Sequence, residues 1–127
     1  MRITKLSRGE LNDMVNNTDQ GEAVNVVKFY SESCPMCANL RDYYVDISRK
    51  FSRVNFFVFN MNRGEGVEKK LNFRGTPTLA MIKTGEKPKI LIMPDPDNPN
   101  DRTWYYSKDI INFIKDNCKD EKHLNLR

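Results

Sequence analysis

Apolar residues occur in two patterns along this sequence, and each pattern predicts one type of secondary structure. Spacings of three and four residues are typical of amphipathic helices. They predict helices over 8–17, 35–51, 65–73 and 106–118. Short runs rich in β-branched and aromatic residues are typical of strands. They predict strands over 23–31, 55–62, 79–83 and 88–93.

The predicted order is α-β-α-β-α-β-β-α, which restricts the possible architectures. Strands that alternate with helices imply parallel pairing, and the last two strands, joined by "TGEK", imply an antiparallel hairpin. The run 55–62 is apolar almost throughout, as in a strand buried on both faces. We expect an α/β fold with a central mixed β-sheet of about four strands, flanked by helices on both faces.

The chain length of 127 residues is that of one domain. We expect a single domain over 1–127, with a core of about 5–118 and a polar C-terminal tail, 119–127. No apolar stretch approaches the roughly 18 residues of a membrane span, and the N-terminal "MRITKLSRGE" lacks the apolar region of a secretory signal. We therefore expect a cytoplasmic monomer without a membrane partner.

The net charge of +4 is spread along the chain. One small basic cluster, at Arg49, Lys50 and Arg53, lies near the end of a predicted helix. A nucleic-acid site would need a denser basic face, so we expect no nucleic-acid partner.

Two cysteines open the predicted helix 35–51, directly after a predicted strand. Cys34 falls at the N-cap position and Pro35 at the first helical position, where a missing N–H group costs nothing. Unpaired N–H groups and the helix dipole should lower the pKa of the Cys34 thiol. Because the thiolate is the nucleophile of disulfide exchange, we predict that Cys34 attacks. Cys37, one turn further on, would resolve the mixed disulfide.

Two other interpretations of the pair stay open at this point. Both cysteines could be buried and inert. They could also be half of a zinc site, which needs four ligands and would have to recruit Cys118 and His123 from the C-terminal end. We expect no bound metal, with Cys118 a half-buried small residue and His123 on the surface.

The segment "RGTPT" precedes the strand predicted at 79–83. A cis bond before Pro77 would give a tight turn and expose the backbone of Thr76 to a substrate chain, which could pair with it as an added strand. An ordinary trans turn is the alternative. We predict that Thr76 and Pro77 face the substrate, together with Pro35 and with Met36, whose side chain is apolar and adaptable.

Taken together, these motifs resemble the thioredoxin superfamily over most of residues 5–118. The matching segments are "VKFYSESCPMC", "FFVFNMN", "LNFRGTPT" and "IKTGEKP". The segments "CANL" and "WYYSKDIINFI" are similar to the protein disulfide isomerase branch. The resemblance implies a thioredoxin-like fold, dithiol–disulfide chemistry and a cis Pro77. Relative to the short form of the family, 94–102 looks like an insertion.

The sequence departs from the family on both sides of the first cysteine. Ser33 stands where the family usually has tryptophan, which removes an apolar wall over the site. Pro35 and Met36 separate the cysteines, and proline in first place resembles the more oxidising families.

A third departure is Lys28, six residues before Cys34. The family commonly has a buried acid there, which accepts the proton of the resolving thiol, and the usual partner lysine is replaced by Val58. Lys28 could stay charged and stabilise a thiolate. Desolvation could instead lower its pKa until it accepts the proton of Cys37, or its head could reach water or Glu32. We therefore name Lys28 as a pKa-tuning residue.

The resulting prediction is a thiol–disulfide oxidoreductase that exchanges disulfides with protein substrates through the dithiol of "CPMC". The resemblance implies that it needs no cofactor and receives electrons from an upstream reductase or a small-molecule thiol. The alternative is a binding module on the same fold, which docks a larger protein through the groove around Met36 and Pro77.

Overall fold

The computed structural model describes residues 3–118, in which one mixed sheet lies between two layers of helices. The strands are β1 (Thr4–Lys5), β2 (Ala23–Tyr30), β3 (Asn55–Asn60), β4 (Thr78–Thr84) and β5 (Lys89–Ile92). The helices are α1 (Arg8–Val15), α2 (Pro35–Ser48), α3 (Val67–Leu71) and α4 (Ser107–Cys118), with a 3₁₀ turn at Met61–Arg63. The tail predicted at 119–127 lies outside the described residues. No helix in the described part is long and apolar enough to cross a membrane.

The five strands lie in the order β1-β3-β2-β4-β5. The pairs β1–β3 and β3–β2 are parallel, whereas β4 is antiparallel to β2 and β5 is antiparallel to β4. The predicted α/β fold with a mixed sheet is thus confirmed. The additional strand, β1, has only two residues, both exposed, which is too short for any period to show in the sequence.

The helices cover both faces of the sheet, as predicted. Leu40 and Ile47 of α2 pack with Ile110 of α4 against one face. Leu11 of α1 and Val67 of α3 pack against the other face. Because side chains alternate along a strand, β2 contributes buried side chains to both clusters.

The strand β3 is less buried than its apolar sequence suggests. Phe57 and Val58 are only half-buried, because β1 pairs with β3 over no more than two residues. The prediction of a strand buried on both faces over 55–62 was therefore wrong for this part of β3. The description fits β2 and β4 better.

Capping residues set the starts of the two helices on which the site depends. Ser7 Oγ accepts a hydrogen bond from the backbone N–H of Glu10 (3.1 Å), and Glu10 Oε1 accepts one from the N–H of Ser7 (2.8 Å). This capping box starts α1. Helix α2 starts with Cys34 at the N-cap and Pro35 at the first helical position, as predicted.

Tyr44 fixes α2 on the sheet. Its side chain is 1% exposed, and its hydroxyl lies 2.7 Å from the carbonyl oxygen of Phe57 and 3.1 Å from that of Val26. These two acceptors belong to neighbouring strands, β3 and β2. A buried hydroxyl shared between them sets the position of the helix along both strands.

We predict that Tyr44→Phe lowers the free energy of unfolding by about 1–2 kcal/mol, because a buried hydrogen bond is lost while the ring stays in place. Tyr43→Phe removes the same hydroxyl from a side chain that is 50% exposed. This control should change the free energy by no more than about 0.5 kcal/mol. Urea unfolding followed by circular dichroism measures both. Equal shifts of the two midpoints would contradict the role assigned to Tyr44.

Candidate active site

The two cysteines open α2 and are joined by a disulfide, with their Cα atoms 5.2 Å apart. Cys37 is 3% exposed, whereas Cys34 is half-buried at the N-cap position. An approaching partner can therefore reach Cys34 but not Cys37. The interpretation that both cysteines are buried is therefore wrong for Cys34.

Backbone groups surround the sulfur of Cys34. The N–H of Cys37 donates a hydrogen bond to Cys34 Sγ at 3.1 Å, so this sulfur caps the helix as well as forming the disulfide. The carbonyl oxygen of Thr76 lies 3.7 Å from the same atom. Once the disulfide is reduced, the N–H group and the positive end of the helix dipole favour a thiolate over a thiol at Cys34.

The turn before β4 faces this sulfur. The Thr76–Pro77 peptide bond is cis, Pro77 is buried and Thr76 is half-buried. Thr76 Oγ1 lies 3.4 Å from Ser31 Oγ in the loop that follows β2. The structure thus brings the Thr76–Pro77 turn to the sulfur of Cys34, and exposed Pro35 and half-buried Met36 follow that cysteine on α2. That these four residues face a substrate stays a prediction.

A polar network near the site was missed by the sequence prediction. Asn60 Nδ2 donates to Glu32 Oε2 (2.7 Å), and the N–H of Glu32 donates to Asn62 Oδ1 (3.0 Å). Since β2 and β3 are parallel, the residues that follow them meet at one edge of the sheet. The parallel pairing of the two strands, which the sequence predicts, could have indicated that these residues meet. The network holds the loop that leads from β2 to Cys34.

Lys28 is 4% exposed on β2, on the side that α2 covers. It lies opposite Val58 of β3 and Leu79 of β4, and its Nζ is 5.1 Å from the centroid of the Tyr44 ring. Within residues 3–118 no carboxylate lies at ion-pair distance from it. Glu32 is bonded to Asn60 instead, so the alternative in which the head of Lys28 reaches Glu32 is not the one that the structure shows.

Desolvation by burial, and to a smaller extent the nearby positive charge of Arg41, together lower the pKa of Lys28 from 10.5 to about 8. At pH 7 the amine is therefore still mostly protonated. A cation lies under the helix that carries the cysteines, and no anion among residues 3–118 neutralises it. Above about pH 8 the same group becomes a base.

The zinc hypothesis finds no support in the described part of the chain. Residues 3–118 contain no group of three or more side chains placed to hold a metal ion. Cys118 is fully buried, not half-buried as predicted, and its sulfur lies 3.8 Å from Met81 Sδ in the core. His123, the other proposed ligand, lies outside the described residues.

Comparisons with known proteins agree on one family. The family model described as Thioredoxin matches residues 2–98. Thioredoxin H5 of Arabidopsis thaliana is 23% identical over 74 residues, which cover 58% of this chain and 63% of that protein. The chain thus spans less than two thirds of this curated relative.

Solved structures show the same fold at low sequence identity. Chloroplastic thioredoxin z superposes with a TM-score of 0.65 at 15% identity, over 91% of this chain and 94% of that one. Thioredoxin f2 of Chlamydomonas reinhardtii superposes with a TM-score of 0.65 at 16% identity, over 91% of this chain and 96% of that one. The J-Trx1 fragment of ERdj5 superposes with a TM-score of 0.64 at 19% identity. The match covers 91% of this chain but only 49% of that fragment.

We predict that Lys28→Met stabilises the protein at pH 7, by up to about 3 kcal/mol, because a buried cation without an anionic partner is removed. The folded protein binds fewer protons at Lys28 than the unfolded chain does between pH 8 and pH 10.5. The wild type therefore gains stability as the pH rises through this window. The advantage of the variant should shrink over the same range.

Urea unfolding at several pH values measures this difference. Lys50→Met is the matched control, because Lys50 is exposed at the end of α2 and its replacement removes no buried charge. An advantage of Lys28→Met that stays constant up to pH 10.5 would show that the pKa of Lys28 is not lowered.

Proposed function

The chain belongs to the thioredoxin family, and on that premise we propose that it is a thiol–disulfide oxidoreductase acting on protein disulfides through Cys34 and Cys37. One observation carries the proposal. An accessible sulfur and a buried sulfur form a disulfide at the start of a helix, opposite the carbonyl group of Thr76. This arrangement suits an attacking and a resolving thiol.

The proposed reaction has two exchange steps. The Cys34 thiolate attacks one sulfur of a substrate disulfide, which forms a mixed disulfide and releases the other substrate sulfur as a thiolate that takes up a proton. The Cys37 thiol then loses its proton and attacks Cys34 Sγ, which releases the second substrate thiol. The substrate gains two electrons and the protein loses two. An upstream reductase or a small-molecule thiol restores the dithiol, and the reverse sequence oxidises a substrate.

The position of a substrate chain follows from the turn. In this proposal the backbone of Thr76 pairs with an extended substrate segment. Pro35 and Met36 form the apolar surface on which the segment rests, and buried Pro77 shapes the turn that presents Thr76. A protein substrate fits this arrangement because hydrogen bonds to a backbone do not depend on the sequence of the partner. We place the reaction in the cytoplasm, in keeping with the small, odd number of cysteines.

Lys28 tunes the equilibrium in the same proposal. At pH 7 its charge favours the thiolate form of the reduced protein, which makes the disulfide a stronger oxidant. Its ammonium group contacts Tyr44, which lies about two helical turns along α2 from Cys37, and this separation keeps the effect moderate. At higher pH the amine is neutral, and this effect on the thiolate is lost.

We expect Cys34→Ser to abolish disulfide exchange, with a loss of more than about 10³-fold, because no nucleophile remains. Cys37→Ser should also stop turnover, but it should accumulate a mixed disulfide with the substrate through Cys34. Insulin reduction measures turnover, and intact mass on non-reduced samples measures trapping. Cys118→Ala is the control and should keep activity. Trapping by Cys34→Ser and not by Cys37→Ser would reverse the proposed roles.

We expect a reduction potential above about −230 mV, less negative than the roughly −270 mV of thioredoxin. The N-cap hydrogen bond and the charge of Lys28 both favour the reduced form. Lys28→Met should shift the potential by about 10–30 mV to more negative values, whereas Lys50→Met should not. Glutathione titration with alkylation and mass readout measures all three. A wild-type value at or below that of thioredoxin would contradict this prediction.

A further inference from the structure

A groove adjoins the Thr76–Pro77 turn and continues along the last strand and the last helix. Its first part, of about 280 Å³, is bordered by Phe73, Arg74 and Thr78, which flank the turn, and by residues 92–95. Its second part, of about 780 Å³, is bordered by residues 91–98 and by one side of α4. The two parts meet at 92–95, which line both. The groove therefore begins beside the turn with which the proposed substrate segment would pair.

Both apolar and acidic residues line the second part of the groove. Leu91, Met93 and Phe113 contribute apolar surface. Its charged lining residues are four aspartates and one lysine: Asp95, Asp97, Asp109, Asp116 and Lys108.

The four carboxylates are available to a ligand. Within residues 3–118 none of them takes part in an ion pair or a side-chain hydrogen bond. Asp95, Asp97 and Asp116 are exposed. The Nζ of Lys108 lies 5.8 Å from the centroid of the Tyr106 ring, which holds the one lysine against an aromatic side chain. The second part of the groove thus carries an excess of negative charge beside apolar residues, whereas Arg74 borders the first part.

This local charge is opposite in sign to that of the protein, which carries a net charge of +4. At long range the protein repels cations, so a cationic ligand could gain only from contacts made within the groove. The side chains of lysine and arginine suit such a surface, because their methylene stems lie on apolar groups while their charged ends reach carboxylates.

We propose that this groove binds a lysine- or arginine-rich segment on one side of the disulfide in a protein substrate, while the disulfide itself lies over Cys34. The inference rests on the proposed function and adds the substrate class to it. The carboxylates of residues 95–116 select the substrate, and the dithiol carries out the exchange. The segment 94–102, an apparent insertion by sequence, supplies part of the wall.

Three peptides with the same disulfide test the proposal. One carries a run of lysines before the disulfide, one carries it after, and one carries serines at both places. Because the groove leaves the turn on one side, one lysine placement should raise kcat/KM about five- to tenfold over the serine peptide at low salt. The gain should vanish as NaCl rises from about 20 mM to about 0.5 M, where charges are screened.

The double variant Asp95→Asn/Asp97→Asn should reduce this ratio to below about twofold. Asp13→Asn/Asp19→Asn is the matched control: it removes the same charge from exposed positions at the end of α1 and should keep the ratio. The ratio compares kcat/KM for the lysine and serine peptides with the same variant. A change in dithiol reactivity affects both peptides equally and cancels, so the ratio reports substrate selection alone. Equal gains for both lysine placements, or a ratio that survives in the groove variant, would overturn the proposal.

A binding measurement separates this proposal from the redox function. Lysine peptides in which serine replaces both cysteines should bind the wild-type protein in fluorescence anisotropy, and binding should be lost in the groove variant but not in the control. Binding without any disulfide exchange would refute the proposed function and leave the groove assignment intact. Exchange without binding would refute the groove alone. Self-association that the groove variant abolishes would show that a second copy occupies the groove, and the proposal would be wrong.

Discussion

The start of α2 lies at the carboxyl end of β2, and the chemistry of the site depends on this junction. Cys34 is at once the N-cap of the helix and one half of the disulfide. Its sulfur accepts the N–H of Cys37, and a thiolate accepts such a bond more strongly than a disulfide sulfur does. The stability of the helix terminus and the redox equilibrium are therefore linked through one atom. Tyr44, two turns further along, keeps that terminus in place by its hydrogen bonds to β2 and β3.

Lys28, buried beneath this junction, lowers the stability of the folded protein. A buried amine without a carboxylate partner is unfavourable, and the ring of Tyr44 offsets only part of that cost. Groups that lower stability are retained where function requires them. A cation under α2 acts in the same direction as the helix dipole, because both favour negative charge on the reduced cysteines. A buried acid at this position would act in the opposite direction.

The sequence predicted best those features that depend on neighbours along the chain. The strand β2, the N-cap at Cys34 and the first-turn Pro35 could all be placed, because propensity and capping are local. The strand β1 could not, since two residues show no period, and the burial of β3 was overestimated because that burial depends on β1. The bonds of Glu32 to Asn60 and Asn62 join the ends of two strands. They become visible only once the parallel pairing is known. The position of Lys28 was evident, but its charge state depends on how deeply the fold buries it.

The loop between β5 and α4 connects the chemistry to the choice of substrate. It starts beside the residues that flank the Thr76–Pro77 turn. Further along the loop, the carbonyl oxygen of Arg102 accepts a hydrogen bond from Asn39 of α2 at 2.9 Å. Asn39 lies only two residues after Cys37. The same loop therefore lies beside the residues that flank the turn and is also hydrogen-bonded to the helix that carries the cysteines. Thiol–disulfide exchange distinguishes little between substrate sulfurs, so selectivity has to come from surfaces around the dithiol. A loop attached on both sides of the site, and carrying uncompensated carboxylates along its course, is placed to provide such a surface without altering the reacting atoms.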